Sequence, residues 1–179
     1  MYCYVTSDFS VANVYQNSHT SKPLIYKISA VWGNHEGSML LWLLVLCIFN
    51  YLIFKLFDEK NSSFIFKSLE IQSIIIFGFL LFTLLTSNPF EQIIPAPENG
   101  LGFNPVLQDP ALAIHPPLLY IGYVGFSAVF SMAIATLTSE NNQKIIWYNY
   151  MKPFVLISWT FLTIGIAFGS LWAYYELGW

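Results

Sequence analysis

The hydrophobic positions of the chain fall into four long runs separated by more polar stretches. The runs occupy residues 37–56, 69–87, 117–137 and 153–174. Each approaches the roughly 20 apolar residues that a helix needs to cross a bilayer. The apolar residues are continuous rather than alternating, which predicts helices and not the strands of a membrane barrel. We therefore predict an all-α polytopic integral membrane protein with four transmembrane helices.

The remaining residues form an N-terminal segment (1–36), a loop (88–116) and a short tail (175–179). Seven of the nine prolines lie between residues 89 and 117, which predicts a stiff, shaped loop. A loop of this length without regular structure is usually functional or disordered. Pro117 and Pro153 are expected in the first turn of their helices, where a missing N–H costs no hydrogen bond.

The lysines predict how the helices are oriented. All seven cations are lysines, and five of them flank the two short connections that join the first run to the second and the third to the fourth. The positive-inside rule places these connections on the cytoplasmic or matrix side. The N-terminal segment, the proline-rich loop and the tail then lie on the outer face. Lys22 and Lys27 in the N-terminal segment count against this orientation.

Composition agrees with a membrane protein and excludes several functions. Hydrophobic residues make up 56% of the chain and charged residues 9%, whereas soluble domains carry about 25% charged residues. Cys3 and Cys47 form no C-x-x-C pair, so thioredoxin-like chemistry and zinc ribbons are unsupported. No acidic, basic or histidine residue lies in 71–85 or 117–137, which disfavours a proton pump.

His115, in "LQDPALAIHPPLLY", is the first candidate for chemistry. Because a proline disfavours helical geometry in the residue before it, we expect His115 to be extended, just outside the third helix. The positive end of that helix disfavours imidazolium, and a neutral imidazole is what a metal requires as a ligand. The alternative is an interfacial histidine that only hydrogen bonds with a loop carbonyl.

The stretch "WGNHEGSMLLW" at 32–42 is the second candidate. His35 and Glu36 begin the zinc-protease pattern H-E-x-x-H, but Met39 stands where the second histidine belongs. A zinc hydrolase is therefore rejected. The spacing alone favours an interfacial turn, with Trp32 at the membrane boundary.

The fourth run contains "GIAFG", in which Gly165 and Gly169 have the spacing of a small-xxx-small face. Such faces allow transmembrane helices to pack closely. The signal is weak, and it predicts only that this helix has a partner.

Three stretches together resemble the CcmF family, the haem lyase subunits of a cytochrome c maturation system. They are "YVTSDFS" through "NHEGSMLLW" (4–42), "NPFEQII" through "HPPLLYIGYVGFS" (88–127) and "FLTIGIAFGSLWAYYELGW" (161–179). The resemblance implies that the protein receives haem from a haem chaperone and helps attach it to the C-x-x-C-H motif of apocytochrome c. It also implies that the histidine of "HPPLLY", His115, is one of two outer-face histidines that ligate haem.

From this resemblance we predict that b-type haem, in transit to cytochrome c, is the cofactor and that His115 is an axial ligand of its iron. Pro116, Pro117 and the loop are expected to hold the ring, and Asp109 to stabilise its orientation. Two other interpretations stay open. One is a docking subunit of the same assembly without haem contact, and the other is a proton-moving respiratory-chain subunit.

Family members continue, after the position of "YYELGW", into a tryptophan-rich haem platform with further histidines, and they have additional spans before "YVTSDFS". We therefore expect the chain to be one piece of a split, mitochondrially encoded member. The expected location is the mitochondrial inner membrane, with the bacterial inner membrane as the alternative. The expected partners are other haem lyase subunits including a tryptophan-rich chain, the haem chaperone, apocytochrome c and the bilayer, but not nucleic acid.

Overall fold

The computed structural model describes residues 1–56, 59, 62–102, 108–138 and 147–178. Within them lie α1 (Tyr2–Thr6), α2 (Ala12–Asn17), α3 (Leu24–Ser29), α4 (His35–Lys55), α5 (Ser62–Thr86), α6 (Pro110–Leu137) and α7 (Trp147–Trp172). A π-helical turn, Ala173–Leu177, continues α7. The helices α4 to α7 are long and apolar enough to cross a membrane. The prediction of an all-α polytopic membrane protein with four spans is confirmed.

The third and fourth spans begin earlier than the sequence predicted. The helix α6 begins at Pro110 and not at Pro117, and α7 already includes Trp147. The two prolines of "HPPLLY" and Pro153 lie inside their helices, so the prediction of first-turn positions for Pro117 and Pro153 is wrong. Of the predicted loop at 88–116, residues 103–107 lie outside the described part of the chain, as does Trp179 of the predicted tail.

The side chain of Asp109 explains why α6 begins where it does. Its Oδ1 atom accepts hydrogen bonds from the backbone N–H groups of Ala111 (2.7 Å) and Leu112 (3.1 Å). This is the bonding of a helix N-cap, and Pro110 occupies the first helical position, where proline is favoured. The cap therefore places "ALAIHPP" inside the helix.

The described chain forms two compact units. Unit 1 comprises Met1–Leu41, Phe82–Pro117 and Gly165–Trp179, and unit 2 comprises Trp42–Leu81 and Leu118–Ile164. Unit 1 thus assembles the N-terminal segment, the proline-rich loop and the end of the chain, the three parts that the lysine pattern assigns to one face. Which face of a membrane they occupy stays a prediction.

Unit 2 is held together by helix packing around an uncharged polar cluster. The fully buried Gln72 of α5 donates to Ser127 Oγ and accepts from Ser131 Oγ of α6, both at 2.8 Å. Hydrogen bonds between membrane helices contribute about 0.6 kcal/mol each on average. At Gly122, α6 approaches α7 so closely that an added methyl carbon would lie 2.6 Å from the Cα of Leu162.

In unit 1 the loop after α5 is bound along its backbone to the N-terminal segment. The N–H of Ala12 donates to the carbonyl of Glu91, and the N–H of Ile93 donates to the carbonyl of Ser10, both at 2.8 Å. Further along, the N–H of Leu101 donates to a carbonyl of α2 at 2.8 Å. A small apolar core lies beneath, formed by Tyr4, Phe9, Val14 and Ala30.

Lys22 of unit 1 makes stability depend on pH. Only 9% of the residue is exposed, and its Nζ donates to the carbonyl of Asn17 at 3.0 Å. Burial lowers the pKa of Lys22 from 10.5 to about 8, so the folded chain holds this proton less tightly than the unfolded chain. Between these two pH values the free energy of unfolding is expected to rise with pH, and below about pH 8 it is independent of this group.

Chemical unfolding of the wild type and of Lys22→Met, measured at a series of pH values, checks this. We expect the wild type to show the rise and the variant to lack it. An equal slope in both proteins would assign the pH dependence to other groups.

Candidate functional site

His115 lies in α6, with its ring packed against α7. Its Nδ1 atom is 2.7 Å from the carbonyl oxygen of Gly165. Because a carbonyl oxygen can only accept, Nδ1 carries the proton. In the neutral ring Nε2 then has a lone pair, and no residue in the described part of the chain forms a hydrogen bond with it. This is the state in which an imidazole binds a metal, with its other nitrogen donating to a carbonyl.

The prediction that His115 is extended, outside the helix, is wrong. A following proline disfavours helical geometry in the residue before it but does not forbid it. Here the cap at Asp109 and the contact of the ring with α7 outweigh that preference. The effect of the helix N-terminus is confined to the first turn of α6, and His115 lies beyond that turn. The carbonyl of Gly165 determines which ring nitrogen carries the proton.

Gly169 provides the space that the imidazole occupies. A methyl group added at Gly169 would overlap Cε1 and Nδ1 of His115 and would lie 3.2 Å from Nε2. Both glycines of "GIAFG" therefore act on the His115 ring. The carbonyl of Gly165 accepts its hydrogen bond, and Gly169 leaves room for it because it has no side chain. The packing face that the sequence indicated is present, and within unit 1 it receives a histidine.

The other predicted residues of this site act on the helix. The hydrogen bonds of Asp109 are those of a helix cap, and none of them reaches His115. Pro116 and Pro117 remove two backbone donors from α6. These three residues shape the helix that carries the ring, and none of them forms a hydrogen bond with the imidazole.

The stretch that contains His35 and Glu36 forms the capped start of α4. Asn34 is the cap, since its Oδ1 accepts from the N–H of Gly37 at 2.7 Å. Gly37 is required because a methyl group there would overlap the backbone carbonyl of Val31. The turn that the spacing indicated is therefore present.

The same stretch is the centre of a hydrogen-bond network. The side-chain amide of Asn13 donates to Asn34 Oδ1 (2.8 Å) and to Glu36 Oε2 (3.2 Å). Asn34 donates in turn to the hydroxyl of Tyr4 at 3.0 Å, and burial raises the pKa of that hydroxyl well above its usual range. Through the hydrogen bond from Asn13, Glu36 helps to hold the N-terminal segment at the start of α4.

Two more contacts connect this stretch to other helices of unit 1. Nε2 of His35 is 2.7 Å from Ser87 Oγ, at the end of α5. The indole N–H of Trp32 donates to the carbonyl of Ala113 in α6 at 3.0 Å. Among the described residues no group of three histidine, cysteine or acidic side chains is arranged to hold a metal ion.

Sequence reasoning found His115 but missed Gly165, Gly169 and Trp32 as its surroundings. The glycine spacing was a usable signal, although it did not say which helix or side chain would occupy the gap. The double proline was a second signal, because it leaves a carbonyl of α6 without a helical partner.

Comparison with known proteins gives a consistent match. The family described as "Cytochrome C assembly protein" matches residues 32–179. The cytochrome c-type biogenesis protein CycK of Rhizobium meliloti is 56% identical over 178 residues, which are 99% of this chain and 26% of the relative. The corresponding protein ccl1 of Rhodobacter capsulatus is 52% identical over 99% of this chain and 27% of its own length.

CcmF of Escherichia coli is 45% identical over 177 residues, which are 98% of this chain and 27% of that protein. The chain thus spans about a quarter of the length of these relatives. No solved structure matches it.

Proposed function

The chain belongs to the cytochrome c assembly protein family, which includes the CcmF proteins, and on this premise we propose that it binds haem through His115 as one subunit of a haem lyase. In that assembly it helps attach haem covalently to apocytochrome c. The observation that carries the proposal is the 2.7 Å contact between Nδ1 of His115 and the carbonyl of Gly165. It fixes the proton on one nitrogen and leaves the other with the lone pair that iron requires.

His115 would supply one of the two imidazoles that the proposed haem site needs. His19 and His35 bond with the hydroxyls of Ser21 and Ser87, both at 2.7 Å, and neither ring forms a hydrogen bond with Gly165 or Trp32 beside His115. We propose that the second imidazole lies outside residues 1–179, since the chain spans about a quarter of the length of its relatives. The partners we propose are the remaining haem lyase subunits, a haem chaperone and apocytochrome c.

Haem, when bound, would supply vinyl groups, and the cysteine S–H groups of apocytochrome c would add across their C=C bonds. The chain contributes binding and orientation. His115 presents Nε2, the carbonyl of Gly165 holds the tautomer, and Gly169 lets the ring lie against α7. Correct placement of the reacting groups is itself a large contribution to rate, because it removes the entropy of bringing them together.

For location we propose an inner membrane, with unit 1 on its outer face, where c-type cytochromes are matured. All seven cations are lysine and none is arginine, which favours an A/T-rich genome such as that of mitochondria and hence the mitochondrial inner membrane. The relatives named above are bacterial proteins, which fits the bacterial inner membrane. In both cases the start of α6, which carries His115, would lie on the side of the membrane where these partners act.

Replacement of His115 by alanine tests the proposal. We expect His115→Ala, purified with its partner subunits, to lose the absorption of bound haem and cells carrying it to lose mature c-type cytochrome. The matched control is His19→Ala, because among the described residues the His19 ring is bonded only to nearby Ser21 and should tolerate the change. Added imidazole should restore part of the haem absorption in His115→Gly, since it can occupy the vacated space.

Two outcomes would contradict haem ligation. One is a His115→Ala complex that keeps the wild-type haem spectrum and matures cytochrome c. The other is a complex that keeps that spectrum and fails in maturation, which would favour a docking subunit.

A further inference from the structure

The double proline of α6 leaves one carbonyl that the helix cannot satisfy. The oxygen of Ala113 would accept from the N–H of residue 117 in an α-helix, or of residue 116 in a tighter 3₁₀ turn. Both are prolines and have no N–H. Ala113 is buried, with 7% of its surface exposed, so leaving this oxygen without a partner would be costly.

Trp32 supplies the missing donor. Its indole N–H, which can only donate, is 3.0 Å from the Ala113 oxygen. Trp32 precedes the capped start of α4, and that start is held by Asn34 and the polar network of the N-terminal segment. The contact therefore fixes α6 to a rigid part of unit 1, two residues before the histidine.

We infer that Trp32 is a positioning residue for His115, acting through the carbonyl that Pro116 and Pro117 leave without a helical donor. The start of α6 is fixed by the cap at Asp109 and by Trp32, and the imidazole is fixed by Gly165. If the indole N–H is lost, this part of α6 can shift, and the hydrogen bond from Nδ1 weakens. The consequence for haem rests on the proposed function, but the coupling between Trp32 and the ring does not.

Three variants of the full chain in lipid nanodiscs test the inference: Trp32→Phe, Pro117→Ala and the double variant. Phenylalanine removes the N–H and keeps an aromatic ring. Alanine at 117 returns an N–H that can reach the Ala113 oxygen. The measurement is the ¹⁵N chemical shifts of the three histidine rings, which report which nitrogen of His115 carries the proton without any haem being present.

We expect Trp32→Phe to lower the ratio of the Nδ1–H to the Nε2–H form of His115 by roughly tenfold, the usual scale for a lost buried hydrogen-bond partner. Pro117→Ala should restore the ratio in the double variant. If Trp32→Phe alone does not fold, recovery of a folded chain in the double variant shows that the indole serves the Ala113 oxygen. The ring ratio of the double variant then tests the coupling: the wild-type ratio supports it, and a different ratio overturns it.

Two results would overturn the inference. One is Trp32→Phe with His115 ring signals like those of the wild type. The other is a disturbance that Pro117→Ala fails to correct, since the indole would then act by another route. A His115→Ala complex that keeps its haem would overturn the proposed function while leaving this coupling intact, so the two failures are distinguishable.

Discussion

Gly169→Ala is expected to displace the imidazole of His115 and to weaken haem binding by about tenfold or more. The added methyl group would overlap Cε1 and Nδ1, and the ring cannot turn away without losing its bond to Gly165. Overpacking of this kind typically costs about 1–3 kcal/mol, and about 1.4 kcal/mol corresponds to a tenfold change in affinity. A haem titration of the purified complex, followed by absorption, measures the effect.

Gly78→Ala is the matched control. Gly78 lies in α5, and no atom comes within 4 Å of a methyl group added there. Since alanine is favoured over glycine inside a helix by about 1 kcal/mol, this change should leave haem binding unaltered and slightly stabilise the helix. If both variants bind haem like the wild type, Gly169 has no part in seating the ring.

Gly37→Ala is expected to destabilise unit 1 by about 3 kcal/mol. The new methyl group would overlap the backbone carbonyl of Val31, and backbone cannot rotate away as a side chain can. The turn must open, which breaks the cap that Asn34 makes on α4. Denaturant unfolding in detergent micelles, followed by tryptophan fluorescence, measures the loss.

Ser38→Ala, one residue further along α4, controls for a change at this position of the helix. Ser38 Oγ bonds only with the carbonyl of His35 in its own helix, so its removal should alter stability by no more than about 0.5 kcal/mol. Equal unfolding midpoints for Gly37→Ala and Ser38→Ala would show that the turn tolerates a side chain at Gly37.

The four spans could be predicted because continuous apolar runs of this length are typical of transmembrane helices and rare elsewhere. Interpreting "HPP" as the boundary between loop and helix places the start of α6 at Pro117, which is seven residues too late. The better signal was Asp109 followed by Pro110, a capping residue and a first-turn proline. Local rules compete here, and the side-chain cap outweighed the preference of the residue before a proline.

The sequence also predicts only part of the candidate site. His115 could be named from its neighbours in sequence and from the family resemblance. Its contact with Gly165 joins residues 50 apart, and the contact of Trp32 with Ala113 joins residues 81 apart. No periodicity or spacing rule pairs such positions. The double proline does identify which carbonyl is left without a helical donor. The acceptor of the second contact, the oxygen of Ala113, could therefore be predicted from the sequence, but its donor, Trp32, could not.

The order in which the chain is synthesised has a consequence for its histidine. The carbonyl oxygen that accepts the hydrogen bond from Nδ1 belongs to α7, which leaves the ribosome after α6. Until α7 has inserted, this carbonyl cannot select one tautomer of the imidazole. A chain interrupted between α6 and α7 would therefore carry His115 without the hydrogen bond that holds its ring.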